Sequence, residues 1–212
     1  MFPDPPEAPP RWDPAPDTVE PGAVWDGVEA EAATVVPEQV ADLDVRESRW
    51  VDADLSGRRF TGLRCRDTQF EHCDLSGAVL DEAAFRRVTF TNCRLTGIVL
   101  SGSTLDDVRI SDCRADLASF RMARAGYLLV ENTVLCGADF YELTGTGCGI
   151  VDCDLTGASF TDARLTGLRL HGSTLDAIGG ALALRGARIS PDQLVPLGAA
   201  LAAALDIQVS DS

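Results

Sequence analysis

The stretch Cys73-Asp-Leu-Ser-Gly-Ala-Val-Leu80 decides how the chain is read. Its cysteine returns at Cys93, Cys113 and Cys153, the positions i+20, i+40 and i+80, which raises metal ligation, disulfide pairing and plain packing as alternatives. Its leucines, Leu75 and Leu80, are five apart. Stepping by five in both directions gives an unbroken series of 26 positions from Trp50 to Leu175, and 18 of them are Leu or Phe. Seven of the chain's eight Phe lie in this one phase. Two residues before these positions the side chain is usually small, as at Ala53, Cys73, Ala78, Cys93 and Ala158; two residues after, Gly is common, as at Gly57, Gly77, Gly97 and Gly157.

A period of five excludes the regular elements. Five helical steps of about 100° leave a side chain about 140° from its start, and on a flat strand an odd period sends alternate large residues to opposite faces. Three extended residues followed by a corner satisfy the pattern. The small and the large residue then point inward together, their neighbours point outward, and Gly tolerates the corner backbone. If every five residues turn the chain by a quarter, four such segments close one coil and residue i stacks on i+20. The cysteine spacing is the sequence's own sign of that closure. It predicts Phe120, Phe140 and Phe160 as one internal stack and Phe70 with Phe90 as another. At ~4.8 Å between stacked strands, the coils from 48 to 180 make a rod roughly 30 Å long.

The formal net charge of the 212 residues is -15, unevenly spread. Residues 1–44 hold eleven acids and one Arg (net -10), 45–180 nineteen acids and fifteen Arg (net -4), and the remainder is net -1. An acidic chain is a poor candidate for direct nucleic-acid binding. No apolar run reaches the roughly 18 residues needed to span a bilayer, and the N-terminus lacks a signal-peptide pattern. No membrane partner is expected, and the expected compartment is the cytoplasm. Seven cysteines without a secretion signal argue against a disulfide framework.

Four regions are expected. Residues 1–22, rich in Pro and acid, read as a disordered tail; 23–44 as an N-terminal capping segment; 45–186 as the repeat coil; and 187–212 as a C-terminal helix and dimerisation segment. Ser190-Pro191-Asp192-Gln193 reads as a helix start, with Ser190 as N-cap, Gln193 completing a capping box, and Ile189 stapled to Leu194. Pro196 should kink the helix or end a short first turn, and Leu197, Leu201 and Leu205 make an apolar stripe.

Ala53-Asp54-Leu55-Ser56-Gly57, Cys73-Asp74-Leu75-Ser76-Gly77, Ala138-Asp139-Phe140 and Cys153-Asp154-Leu155-Thr156-Gly157 resemble the Ala-Asp/Asn-Leu-X-X consensus of the pentapeptide-repeat family, over about residues 45–180. The resemblance implies an all-β solenoid, a right-handed quadrilateral β-helix, with a C-terminal helical cap. The helix extends the resemblance to the MfpA and Qnr branch, in which a similar helix and following segment join two rods end to end. That implies a homodimer here through Leu194, Leu197, Leu201, Leu205, Ile207 and Val209. Proteins of that branch bind DNA gyrase or topoisomerase IV, some by imitating duplex DNA, and protect against quinolones or other topoisomerase poisons. The resemblance therefore implies a binding protein with a type II topoisomerase as partner. A generic protein–protein interaction module with another partner is the alternative.

The residues themselves offer surfaces rather than chemistry. Cys73, Cys93, Cys113, Cys148 and Cys153 occupy the small inward position, where a thiol packs as a small apolar group, and a linear ladder lacks the close ligand pairs of zinc sites. Cys136 faces outward and is the one thiol expected to react. His72 and His171 lie five coils apart and cannot share a site. No catalytic residue, cofactor site or metal site is expected. Residues 45–125 carry twelve acids and thirteen Arg (net +1), whereas 126–180 carry seven acids and two Arg (net -5). Those seven, Glu131, Asp139, Glu142, Asp152, Asp154, Asp162 and Asp176, form a candidate partner-binding zone, with Tyr127 and Tyr141 as outward aromatic candidates. Between 113 and 147 the pattern loosens. Ala115, Ala125 and Gly145 replace large inward residues while Leu128 and Leu143 replace small ones; compensated packing is the favoured reading over a bend or a partner surface.

Overall fold

The computed structural model describes residues 3–208. It is a parallel β-solenoid of about seven turns with one short C-terminal helix. The strands Arg64–Glu71, Ala84–Thr91, Thr104–Ser111 and Arg124–Glu131 stack in register i to i+20, so that Cys65 meets Phe85, Phe85 meets Leu105 and Leu105 meets Ala125. Each coil has four sides. The first is centred on the inward residues Cys65, Phe85, Leu105 and Ala125, the second on Phe70, Phe90, Ile110 and Val130, the third on Leu75, Leu95, Ala115 and Leu135, and the fourth on Leu80, Leu100, Phe120 and Phe140, all buried.

The corners turn through backbone of positive φ. Gly57, Gly77, Gly97, Gly137 and Gly157 hold one column of corners, while Asp52, His72, Asn92, Asp112, Asn132 and Asp152 hold another with φ near 50°. Glycine is thus one solution rather than the rule, and the short polar residues that best tolerate this region take many of the rest.

Inside, the predicted aromatic columns form. Phe120, Phe140 and Phe160 stack at 5.2 and 4.8 Å, and Phe70 lies 4.8 Å from Phe90. The second column continues through Trp50 to Trp25, with 4.9 Å between the two indoles. The irregular coils are repacked rather than opened: Leu128 and Leu143 are fully buried beside Ala125 and Gly145. A Cβ on Gly145 would lie 2.7 Å from the Ala125 carbonyl oxygen and 2.9 Å from Cys148 Sγ, so no larger residue fits there.

The N-terminal boundaries differ from the expected ones. Val24–Asp26 pairs with Asp44–Arg46 and Gln39–Ala41 with Arg59–Thr61 in the same i to i+20 register, so the coil begins about one turn before residue 45. Trp25, Ala30, Val36, Val40 and Leu43 are buried and account for this, because their apolar surface closes the end of the core. The segment expected to be a disordered tail lies against the coil. Asp13–Pro14 pairs with Val28–Glu29, and Thr18 bridges to Val35. Farther out, a strap follows the corner between the first and second sides: Trp12 Nε1 donates to the Glu47 carbonyl (3.1 Å), Glu7 N–H to Asp67 Oδ1 (3.0 Å) and Asp4 N–H to Asp107 Oδ1 (3.2 Å). Prolines suit such an extended strap because it needs few donors of its own.

At the other end Ser190 and Gln193 form the predicted capping box, opening a 3-10 turn Pro191–Gln193 that leads into the helix Leu194–Ala204. Pro196 neither kinks nor ends the helix: it falls in the first turn, where the missing N–H has no intrahelical acceptor to lose. Ile189 and Leu197 pack on the core, but Leu194 is 62% exposed, so the expected staple does not bury it.

Candidate interaction surface

The cysteine column is a hydrogen-bonded ladder. Cys73, Cys93, Cys113 and Cys153 each place Sγ 3.4–3.6 Å from an inner carbonyl oxygen of the preceding coil, on Trp50, Phe70, Phe90 and Val130. Thr133 holds the missing rung, and Ser173 Oγ continues it by donating to the Ile150 carbonyl at 2.9 Å. The last rung is Gln193, 2% exposed, whose Nε2 donates to the carbonyls of Leu170 and Ser173 at 2.5 Å each. Gln193 thereby seals the coil end, a role readable from the sequence by stepping once more from Ser173 to i+20. Burial pushes the Cys153 thiol up to about 12 and raises Cys148 as well, so these thiols are packing groups. Cys136 is half-buried and the most accessible of the seven. Partial desolvation, then the hydrogen bond and charge of Asp154, raise its thiol too, which disfavours the reactive thiolate.

The aspartates of the repeat motif fix its turns. Asp54 Oδ1 accepts from the Ser56 N–H (3.0 Å) and hydroxyl (2.6 Å), and Asp154 Oδ1 accepts from Thr156 in the same way. Those hydrogen bonds hold both carboxyls below the usual range.

The seven candidate acids all project outward, but they do not form one patch. Glu131 lies on the second side paired with Arg109; Asp139, on the fourth, pairs with Arg121 at 2.6 Å. Asp154 and Asp176 belong to the third side, Asp152 to the corner before it, and Glu142 and Asp162 share the corner between the fourth and first sides. Glu142 and Asp162 also line a depression of about 510 Å³ beside Leu182 and the helix end at Ala204. The tyrosines are separated as well. Tyr127 stands at the corner between the first and second sides, while Tyr141 lies on the fourth under the Arg121 guanidinium, 4.3 Å from the ring centre. Of the candidate dimer residues, Leu205 and Ile207 are each 56% exposed, Leu197 and Leu201 are half-buried, and Val209 lies outside the described residues.

Sequence reasoning missed Asp67. This carboxylate is 3% exposed and accepts from Arg87 Nε and Nη2 at 2.6 Å each as well as from the strap at Glu7. Burial alone would raise it, yet the Arg87 guanidinium and the Glu7 N–H outweigh burial and hold it below the usual carboxylate range. Arg87 is the i+20 neighbour of Asp67, so the coil register was the only available signal.

No helix among the described residues is long and apolar enough to cross a membrane. Among curated proteins none matches the chain significantly. Among solved structures, full-length QnrB1, a plasmid-mediated fluoroquinolone resistance protein, is 20% identical over 87% of this chain and 98% of its own, with a TM-score of 0.40. A trypsin-treated QnrB1 variant is 21% identical over 91% and 99%, with a TM-score of 0.38. HetL, a pentapeptide-repeat protein involved in heterocyst differentiation regulation in the cyanobacterium Nostoc, is 16% identical over 81% and 87%, with a TM-score of 0.25. The family model for the pentapeptide repeat region matches residues 63–140, and that for pentapeptide repeats (8 copies) matches 42–77 and 146–176. These matches cover more than half of the chain and fall on the coils just described, so the chain belongs to the pentapeptide-repeat family.

Proposed function

We propose that the protein is a non-enzymatic, cytoplasmic binding protein of the MfpA and Qnr kind, which engages a type II DNA topoisomerase, DNA gyrase, by presenting its acidic C-terminal coils where duplex DNA would lie. The observation that carries this reading is charge density. At ~4.8 Å per coil the net -5 of residues 126–180 falls on about 13 Å of rod, roughly one charge per 2.6 Å, against about 1.7 Å in duplex DNA. The spread of these acids over several sides suits the comparison, since DNA also carries charge all round its axis. Two rods joined through the exposed Leu194, Leu205 and Ile207 would double the acidic length.

The test is a gyrase supercoiling assay with and without a fluoroquinolone. The expected result is inhibition, or protection from the drug, at micromolar protein, weakened by Glu142→Lys with Asp162→Lys. Absence of inhibition, protection and binding at that concentration defeats the proposal. A second reading, an interaction module for a different partner, is favoured by the near-neutral charge of residues 45–125, which carry thirteen Arg against twelve acids.

A further inference from the structure

The arginines of the coil differ in their partners: on the first side Arg46 reaches Asp44 and Arg66 lies 3.5 Å from Asp67. Arg49, Arg59, Arg87, Arg94, Arg109, Arg114 and Arg121 each reach a carboxylate within 4.0 Å, and Arg58 donates to a carbonyl. The guanidinium groups of Arg64, Arg86, Arg124 and Arg164 make no ion pair or hydrogen bond among the described residues, and all four project from the first side. That side carries six Arg in two columns against three acids, Asp26, Asp44, which Arg46 binds, and Asp106. In one column the register places Arg46 on Arg66 and Arg66 on Arg86. Arg46 and Arg66 being so paired, Arg86 is left as the member of this column without a carboxylate within 4.0 Å, next to a like charge that a sheet tolerates poorly. Between them lies a depression of about 430 Å³ floored by Ala84 and rimmed by Arg46, Arg64, Arg66 and Arg86, with Asp44 and Asp106 at its two ends.

We propose that this first side is a docking surface for an extended, acidic peptide segment of a protein partner, with Arg64, Arg86 and Arg124 gripping its carboxylates. Guanidinium forks accept carboxylates bidentately. Width selects the occupant. One side is only about 10 Å across, three strand steps of ~3.3 Å, and its edges carry Asp42, Glu82 and Glu142 on one corner and Glu47 and Asp107 on the other. A duplex would be pressed onto these carboxylates. A single nucleic-acid strand normally gains much of its affinity by stacking bases on aromatic side chains, and the outward residues of this side include none. The molecule already holds one acidic extended segment in this way at the bordering corner, where Glu7 of the strap comes 3.8 Å from Arg87.

The test is fluorescence anisotropy with a labelled decapeptide of alternating Glu and Ser, against unlabelled oligothymidylate and a short DNA duplex as competitors. The expected result is peptide binding that weakens with salt, is at least tenfold weaker in both Arg64→Glu/Arg86→Glu and Arg64→Gln/Arg86→Gln, and is unchanged in Arg94→Glu/Arg114→Glu on the third side. The Arg64→Gln/Arg86→Gln variant should melt close to the parent, because neither guanidinium holds an ion pair that the change would break. Failure of the peptide to bind at millimolar concentration, equal loss in the third-side variant, or tighter binding of either nucleic acid overturns the proposal.

Discussion

A cysteine that recurs at i+20 invites a metal, yet each thiol here shares its weak donor between the inner carbonyl of the preceding coil and the carbonyl two residues before it. Ser173 makes the first of these contacts with a hydroxyl. Cys93→Ser should therefore shift the melting temperature little, a change of less than about 1 kcal/mol. Cys93→Leu forces extra methylenes between stacked coils and should cost about 1–3 kcal/mol. Thermal unfolding followed by circular dichroism separates the two; a serine variant as damaged as the leucine variant would show that sulfur does something other than pack.

Corners and the strap are the elements with the sharpest tolerances. Gly57 and Gly180 both have positive φ, 63° and 68°, but a Cβ on Gly57 meets nothing within 4 Å whereas one on Gly180 would lie 2.3 Å from the Thr161 nitrogen. Gly57→Ala should cost about 1–2 kcal/mol from backbone conformation alone, and Gly180→Ala clearly more, enough to loosen the turn Ala181–Leu184 that it precedes. Asp67 is the middle of the strap's three anchors, tying it at Glu7. Because the folded carboxyl is held below its ordinary value of about 3.9, its contribution is fully present above that value and is lost as pH falls through the lower folded one. Acid titration should release the strap in that window, seen as a red shift and salt-sensitive quenching of Trp12 emission, with the buried Trp25 and Trp50 unchanged. Asp67→Asn should show the released signal already at pH 7.

For the whole rod, end-to-end pairing predicts a dimer by light scattering that Leu205→Asp with Ile207→Asp converts to a monomer; a monomeric parent protein defeats it. These residues are the better probes, since Leu201 is half-buried against the cap. Most of the rod is legible in the sequence because one phase of Leu and Phe runs unbroken, and a period of five has a single geometric solution. The same phase assigns every outward residue to a side, so the arginine columns can be counted from the sequence. Which of those arginines lack a partner cannot, because pairing depends on which rotamers reach a carboxylate at i-2, i-20 or i+22, as those of Arg46, Arg87 and Arg109 do. The N-terminal segment is illegible for a different reason. Its pairings, Asp13 with Val28 and Thr18 with Val35, leave the i to i+20 register, and no repeat announces them.

The i to i+20 register makes chain length equivalent to angle. Duplicating one whole coil would lengthen the molecule and leave every surface facing as before. Duplicating a single five-residue block would satisfy the core equally well, yet swing everything downstream by a quarter turn, carrying Glu142 and Asp162 out of line with the arginine columns above them. Relatives that differ by whole coils can therefore keep a two-sided partner, and those that differ by a fraction of a coil must find a new one.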